Sequence, residues 1–334
     1  MRHIVLGATA ALAFGVSVAG AQTYPNREIQ GIIQWGAGGS TDTVMRSVTP
    51  HAEEMLGGTV VMQNMTGAVG AIALNYVADA DADGYTLLMG AENPMLYTTM
   101  GLGERDYSEF IPINLLARGT PILVAGPDAP YSNYDELMAY IAAHPGEVRF
   151  GSTGPGGLPS VVTAMIQSVE GDLDVIFVPY DGDGPALTAL QGGAIDVMPA
   201  VLGAAIENIR AGNFKPLAVF DTARNERLPD VAVVTESNEG YNAYLPWGPF
   251  FGVFVRNGTP DDAVAALTAA YAEAAQNADF LSLMDGRGFT MMNISGDEAR
   301  EFLTRWQSTT AWLMFDAGLA ANNPADLGIA RPGE

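Results

Sequence analysis

Short runs of apolar, β-branched and aromatic residues alternate along the chain with segments in which apolar residues recur every three or four positions. The short runs indicate buried strands, and the second pattern indicates helices that bury one face. One helix is predicted around Val44, Val48 and Ala52, where Pro50 is expected to kink it or to cost a backbone hydrogen bond. A second helix is predicted over 71–78. Strands are predicted at 29–35, 59–63, 85–89, 121–125, 148–151, 175–178, 195–198, 216–220 and 250–255.

Capping signals mark several further helices. Ser132 is predicted to be the N-cap of one helix, and Pro185 is predicted at the first position of a helix that continues over 186–191. Residues 259–262 open a helix with a proline followed by two aspartates, and residues 295–298 form a capping box that opens the last one. The alternation of strands and helices therefore continues to the end of the chain.

Repeated strand–helix–strand order predicts parallel sheets covered by helices, which is an α/β fold. A chain of 334 residues suggests about two domains. No low-complexity linker separates them, so we expect the chain to cross between domains and return. The strands at 121–125 and 250–255 are predicted to make the crossing. One domain then comprises 24–120 plus 248–334, and the other comprises 121–247.

The first residues resemble a signal peptide. A short basic segment, Met1–His3, precedes the uncharged apolar stretch 4–18, and Ala19–Ala21 has the small-x-small pattern of a signal-peptidase site. The stretch is shorter than the roughly 20 residues that a membrane span needs. We therefore expect residues 1–21 to be removed near Ala21 and the protein to be exported.

Composition excludes several classes of function. The formal net charge is -23 and the only lysine is Lys215, so a basic face for nucleic acid is not expected. The absence of cysteine excludes thiol catalysis, iron–sulfur clusters and cysteine zinc sites. The excess of acidic residues is expected to keep the surface hydrated at high ionic strength. Specific binding of cations by these residues is the alternative interpretation.

Two motifs that suggest other chemistry are incomplete. Residues 79–84 copy the first half of a calcium-binding loop, but the twelfth position, which should be glutamate, is Gly90. Outside the predicted signal peptide the chain has only His51 and His144, both in helix-like contexts, and no nucleophile elbow is present. We therefore predict no catalytic residue, no metal site and no cofactor.

Two glycine-rich turns carry the candidate chemistry. Residues 36–42 follow a predicted strand and open a helix, so their amides and the helix dipole could bind an anion. Ser40 is placed to cap that helix and Asp42 to lie in its first turn. An ordinary tight turn is the alternative interpretation. Residues 151–157 form a second such turn, and two turns of this kind at strand ends could hold one anion between two domains.

At these turns the sequence resembles the periplasmic solute-binding proteins of tripartite tricarboxylate transporters, the TctC or Bug-like family. The resemblance covers nearly the whole chain after the signal peptide. It is carried by Gly38–Asp42, Asn64 with Gly67-Ala68, Asp83–Leu88, Gly151–Gly154, Val178–Tyr180, Gly184–Ala186, Pro216–Val219 and Arg227–Val231.

The resemblance implies the two-lobed Venus-flytrap fold (type II), with hinge strands that cross between lobes. It also implies a periplasmic monomer that binds a small organic acid and passes it to the permease subunits of a transporter. The implied ligand-binding residues are Trp35, Gly38, Gly39, Ser40, Thr41, Asp42, Asn64, Glu92, Asn93, Ser152, Thr153, Gly154, Tyr180 and Gly182. A β-branched residue at position 39 is expected to abolish binding, because it would block close approach and disfavour a positive φ.

Glu92 is unusual for a site that binds an acid. It follows the predicted strand 85–89 at the end where open sheets bind ligands. If it faces the cleft, an amine on the ligand could pair with it; the alternative is that it points to solvent where Asn93-Pro94 turns the chain. Two other functions also stay open, namely a hydrolase-like periplasmic enzyme and a sensor subunit that presents its ligand to a membrane kinase.

Overall fold

A computed structural model of the chain describes residues 24–333, so the predicted signal peptide, 1–21, lies outside the described residues. Eleven strands form two sheets in the part of the chain that the structure describes. The strands are β1 (Ile29–Ile33), β2 (Val60–Asn64), β3 (Thr86–Ala91), β4 (Phe110–Arg118), β5 (Pro121–Ala125), β6 (Arg149–Ser152), β7 (Ile176–Pro179), β8 (Val197–Val201), β9 (Lys215–Val219), β10 (Phe250–Arg256) and β11 (Thr290–Ile294).

The helices cover the sheets and connect their parallel strands. They are α1 (Ser40–Leu56), α2 (Ala71–Asp79), α3 (Tyr97–Met100), α4 (Tyr134–Ala143), α5 (Leu158–Glu170), α6 (Asp183–Gln191), α7 (Leu202–Arg210), α8 (Val234–Ser237), α9 (Asp261–Ala274), α10 (Ala278–Gly286) and α11 (Gly296–Asp316). Within residues 24–333, none of these helices has the length and apolar character to cross a bilayer.

The first sheet has the strand order β11-β4-β10-β3-β1-β2, and the second has the order β7-β6-β8-β5-β9. β1 is parallel to β2 and β3, and β6 is parallel to β7 and β8, whereas β10 and β5 run antiparallel to their neighbours. Residues of β1, β3, β8 and β10 are almost all buried, because helices pack on both faces. The predicted α/β fold is confirmed, but both sheets are mixed rather than parallel.

The crossing between the sheets differs from the prediction. Residues 121–125 and 250–255 lie in different sheets, as β5 and β10, and therefore do not themselves pass between them. The chain crosses in the residues just before each of these strands. There the Gly119 N–H donates to the Pro249 carbonyl at 2.8 Å, so the two crossing segments lie side by side.

β4 and β11 were missed by the pattern of apolar residues. β4 contains Pro112, which argues against a central strand because proline cannot donate to a neighbouring strand. The structure accommodates it opposite Phe254, where the register between β4 and β10 shifts. The irregular pairing thus removes the need for the missing N–H.

Three predictions about helix starts are wrong. The N-cap of α4 is Asn133 rather than Ser132, and its side chain accepts from the Glu136 N–H at 2.9 Å. Ser295 is the N-cap of α11 as predicted, but its side chain makes no capping hydrogen bond, so the capping box is not formed. Pro185 is the third residue of α6 rather than its first. Pro50 lies within α1, which continues through it.

Candidate functional site

A cavity of about 40 Å³ lies between the two sheets. It is located where β1, β3 and β6 end, which is the edge at which open α/β sheets bind ligands. The first sheet and its connections contribute Trp35, Ser40, Thr41, Ala91, Glu92, Asn93, Pro249 and Phe251. The second sheet and its connections contribute Thr153, Leu158, Pro159, Gly182, Asp183, Met198, Pro199, Ala200 and Val201.

The loop between β1 and α1 is held in shape by Asp42. Its Oδ2 accepts from the Gly38 N–H at 3.0 Å, and its Oδ1 accepts from Arg46 Nε at 2.7 Å and Asn64 Nδ2 at 2.9 Å. Burial alone would raise the pKa of Asp42, but these hydrogen bonds lower it. The same Asn64 amide donates to the Trp35 carbonyl at 2.8 Å. Asp42, Asn64 and Gly38 therefore support the loop from behind and are not among the described residues that line the cavity.

Gly39 is required for space rather than for its backbone conformation. It is the N-cap of α1 with φ -80° and ψ 179°, which any residue can adopt, so the expected positive φ is wrong. A Cβ at this position would instead overlap Oδ1 of Asp183. The absence of a side chain at Gly39 thus leaves room for Asp183, at the start of α6, beside the start of α1.

The carboxylate of Asp183 binds at the N-terminus of α1. The Ser40 N–H donates to its Oδ1 at 3.0 Å, and the Ser40 hydroxyl donates to its Oδ2 at 2.6 Å. Beside this contact the Gly36 N–H donates to the Asp181 carbonyl at 2.9 Å. Burial raises the pKa of Asp183, although the hydrogen bonds from Ser40 and Gly184 oppose the rise. The helix terminus that was predicted to bind an anion therefore already holds one, supplied by the protein itself.

Glu92, of the first lobe, lies near the start of α5 in the second lobe. It follows β3, and its carboxylate lies near the backbone of Leu158, the first residue of α5. Only 4% of Glu92 is exposed. Burial, together with the nearby charge of Asp183, raises the pKa of Glu92 to about 8, although its own backbone N–H and the nearby backbone of Leu158 oppose the rise. The side chain lies at the cavity rather than in solvent.

Asn93 has an unsatisfied oxygen in this wall. Its Nδ2 donates to the Gly156 carbonyl at 3.3 Å, which fixes the amide between the two sheets. Its Oδ1 is buried and has no hydrogen-bond partner among the described residues. Because a buried acceptor without a donor is costly, this oxygen indicates where a ligand or water would bind.

The second glycine-rich turn contributes less of its surface than expected. Thr153 lies in the cavity wall, but the Ser152 hydroxyl accepts from the Gly154 N–H at 3.1 Å. The Tyr180 N–H donates to the Ser152 carbonyl at 2.8 Å, and the Tyr180 ring packs against an apolar cluster of the second sheet. Ser152 and Gly154 line a separate depression on the surface.

The predicted residues thus separate into two groups. Those at the cavity are Trp35, Ser40, Thr41, Glu92, Asn93, Thr153 and Gly182. Those that surround or support it are Gly38, Gly39, Asp42, Asn64, Ser152, Gly154 and Tyr180. Sequence reasoning missed Asp183, although an acidic residue between Gly182 and Gly184 at a helix start was a usable signal.

Residues of the calcium-like segment and one of the two histidines make contacts with neighbouring side chains. Asp79 and Asp83 of the calcium-like segment pair with Arg105 and Arg27, each at 2.7 Å. The His144 ring stacks on Tyr140 with centroids 4.0 Å apart. Among residues 24–333 no group of three or more His, Asp or Glu is arranged to hold a metal ion.

Comparison of the sequence with known families gives a match to the tripartite tricarboxylate transporter family receptor, TctC, over residues 44–312. Protein BugT of Bordetella pertussis is 33% identical over 311 residues, which cover 90% of this chain and 92% of BugT.

Solved structures give the same result. The periplasmic binding protein BugD superposes with a TM-score of 0.84 at 26% identity, over 89% of this chain and 99% of BugD. MatC from Rhodopseudomonas palustris, solved with bound malate, superposes with a TM-score of 0.78 at 27% identity, over 86% of this chain and 100% of MatC. The two-lobed fold that the sequence predicted is confirmed by these similarities.

Proposed function

Because the chain belongs to the TctC family of tripartite tricarboxylate transporter receptors, we propose that it is an exported binding protein that captures a small organic acid between its lobes. We propose residues 24–120 plus 248–334 as one lobe and 121–247 as the other, in keeping with the membership of the two sheets. The observation that carries the proposal is the cavity between the sheets, whose walls come from both lobes.

The carboxylate of the ligand would bind near the first turn of α1. The amide of Thr41 lies in that turn, where backbone N–H groups have no partner within the helix. Thr41, which follows the first sheet's β1, and Thr153, which follows the second sheet's β6, both line the cavity, so their hydroxyl groups would supply neutral donors to one carboxylate. Trp35 and Phe251 provide apolar surface for the carbon skeleton. MatC, a relative of similar fold, was solved with malate, which supports an organic acid as the ligand class.

Delivery would follow from opening at the two crossing segments. We propose that the lobes separate about the contact between Gly119 and Pro249, release the acid unchanged, and pass it to the permease subunits of a transporter. The protein is proposed to act in the periplasm as a monomer and to have no catalytic role.

A thermal-shift screen of small carboxylic acids against the chain without residues 1–21 tests the proposal. An acid present at 100 times its Kd should raise the free energy of unfolding by ~2.7 kcal/mol. Thr41→Val and Thr153→Val should weaken binding, whereas Thr304→Val on the exposed face of α11 should not. Recovery of the acid unchanged, as judged by mass spectrometry, distinguishes binding from hydrolysis. If no carboxylic acid raises the Tm, the proposed function is wrong.

A further inference from the structure

The chemistry of the cavity wall is unusual for a site that binds only an acid. Among the described residues that line it are two carboxylates, Glu92 and Asp183, and no arginine, lysine or histidine. We propose that the ligand carries an amine as well as a carboxylate, and that its ammonium group binds between the Glu92 carboxylate and Oδ1 of Asn93. This inference rests on the proposed function and narrows the class of acid that the protein captures.

The free oxygen of Asn93 calls for a donor on the ligand. Asn93 is 1% exposed and lines the cavity, and its amide nitrogen already donates to the Gly156 carbonyl, so Oδ1 is its polar side-chain atom that remains without a partner. A carboxylate offers only acceptors and would leave this oxygen unsatisfied. An ammonium group has three donors and can satisfy Asn93 Oδ1 and Glu92 together.

The donors at the start of α1 that could hold a second acid group are already hydrogen-bonded. The amide and hydroxyl of Ser40 donate to Asp183, and the backbone of Leu158 lies close enough to Glu92 to lower its pKa. The carboxylate of Asp183 therefore takes up the N-terminus of α1, which belongs to the opposite lobe. At a pH above the pKa of Glu92, a dicarboxylate would place its second charge against an ionised Glu92 with no positive partner among the lining residues, which is unfavourable. A positive group on the ligand would instead be attracted by the ionised carboxylate of Glu92.

The charge at this wall is set by Glu92 and Asp183. Two phenols also face Glu92: Tyr97, whose hydroxyl donates to the Val69 carbonyl, and Tyr107, whose hydroxyl donates to the Ala91 carbonyl. Burial raises the pKa of both phenols, so they stay neutral. Burial also raises the pKa of Glu92 to about 8, so an ammonium group must displace a proton from Glu92 when it binds at neutral pH.

The test uses matched pairs of compounds that differ in the amine. Calorimetry at pH 8.5 compares L-aspartate with succinate and L-malate, and L-alanine with propionate and L-lactate, with putrescine as an amine that lacks a carboxylate. We expect at least one aminated acid to bind more than tenfold tighter than its partners. Glu92→Gln, which keeps an oxygen for the Leu158 backbone, should weaken that binding by about thirtyfold or more. Plain acids should bind this variant equally well or better.

Two further variants separate recognition from folding. Asn93→Leu removes the free oxygen without adding charge and should weaken only the aminated acid. Glu104→Gln, at an exposed position, should leave every affinity unchanged. In the wild type the affinity for the aminated acid should rise by up to tenfold per unit between pH 6 and pH 8, because Glu92 ionises in this range. The Glu92→Gln variant should lack this dependence.

The outcomes distinguish this inference from the proposed function. Plain acids that bind as tightly as their aminated partners, or an aminated acid whose affinity is unchanged in Glu92→Gln, overturn the inference and leave acid capture in place. Binding of putrescine alone, with loss in Glu92→Gln, supports the ammonium site and contradicts acid capture. If no amine-bearing compound binds more tightly than its partners, the ammonium site is wrong.

Discussion

Asp183 accepts hydrogen bonds from both the backbone N–H and the hydroxyl of Ser40, at 3.0 and 2.6 Å, although the strands that precede the two residues belong to different sheets. Ser40 is the first residue of α1 and Asp183 is the first residue of α6. An acidic side chain of the protein thus occupies the end of a helix that favours negative charge. This contact joins the two lobes beside the cavity.

Gly39→Ala should loosen the contact between the lobes. The added Cβ would overlap Oδ1 of Asp183, while the backbone of Gly39 is already suited to alanine. We expect the radius of gyration of the unliganded protein to increase in small-angle X-ray scattering, with circular dichroism unchanged and ligand affinity reduced. Gly103→Ala is the control, since a Cβ there meets no atom within 4 Å. An unchanged radius and affinity in Gly39→Ala would contradict the role assigned to this contact.

Glu92→Gln should make the protein more stable in alkaline solution. The folded-state pKa of Glu92 is raised from 4.5 to about 8, so the native state binds more protons than the unfolded state between these values. The wild type should therefore lose up to about 1.4 kcal/mol of unfolding free energy per pH unit in this window relative to the variant. Urea unfolding at pH 4 and pH 9 measures the difference, which should be near zero at pH 4. A constant difference at both pH values would show that Glu92 does not titrate in this range.

Asp42→Asn should destabilise the loop that leads into α1. Asp42 accepts from Gly38, Arg46 and Asn64, and an amide in its place would turn an NH2 group toward one of these donors. We expect a loss of about 2 kcal/mol in the free energy of unfolding at pH 7. Because the folded pKa of Asp42 lies below 3.8, the loss should shrink as the pH falls below that value.

The matched control for Asp42 is an exposed ion pair in α11. Oε2 of Glu301 lies 3.5 Å from Nη1 of Arg305, and both side chains are about 70% exposed. Glu301→Gln should therefore change the free energy of unfolding by less than about 0.5 kcal/mol. Equal effects of the two substitutions would mean that Asp42 contributes no more than a surface charge.

Phe251→Ala should enlarge the cavity from its apolar side. Phe251 is 2% exposed, lines the cavity, and packs edge-on against Phe289 with ring centroids 5.6 Å apart. We expect a loss of about 3–5 kcal/mol in the free energy of unfolding. Longer acids should gain affinity relative to shorter ones. Phe177→Ala, at a phenylalanine that is 46% exposed, should cost about 1 kcal/mol and leave this preference unchanged.

The periodicity of apolar residues was sufficient to determine the α/β fold and most of its strands. β5 was predicted at its exact bounds because 121–125 is continuously apolar and buried. β4 was not, because Pro112 masks its pattern and only the pairing with β10 shows how the strand tolerates it. Ser132 was assigned as a cap for a similar reason, since the hydrogen bond that selects Asn133 depends on the path of the backbone.

The sequence also located both glycine-rich turns, because such turns at strand ends are local features that glycine, serine and threonine make recognisable. Which of their residues meet at a cavity is a different kind of property. Asp183 accepts a hydrogen bond from Ser40, which lies 143 positions away in the sequence. Glu92 likewise lies near Leu158, a residue of the other lobe. Local patterns carry no information on such contacts, since they depend on how two sheets are placed relative to each other. Only the tertiary structure therefore decided that a carboxylate of the protein itself occupies the start of α1, and that the wall left for a ligand is acidic.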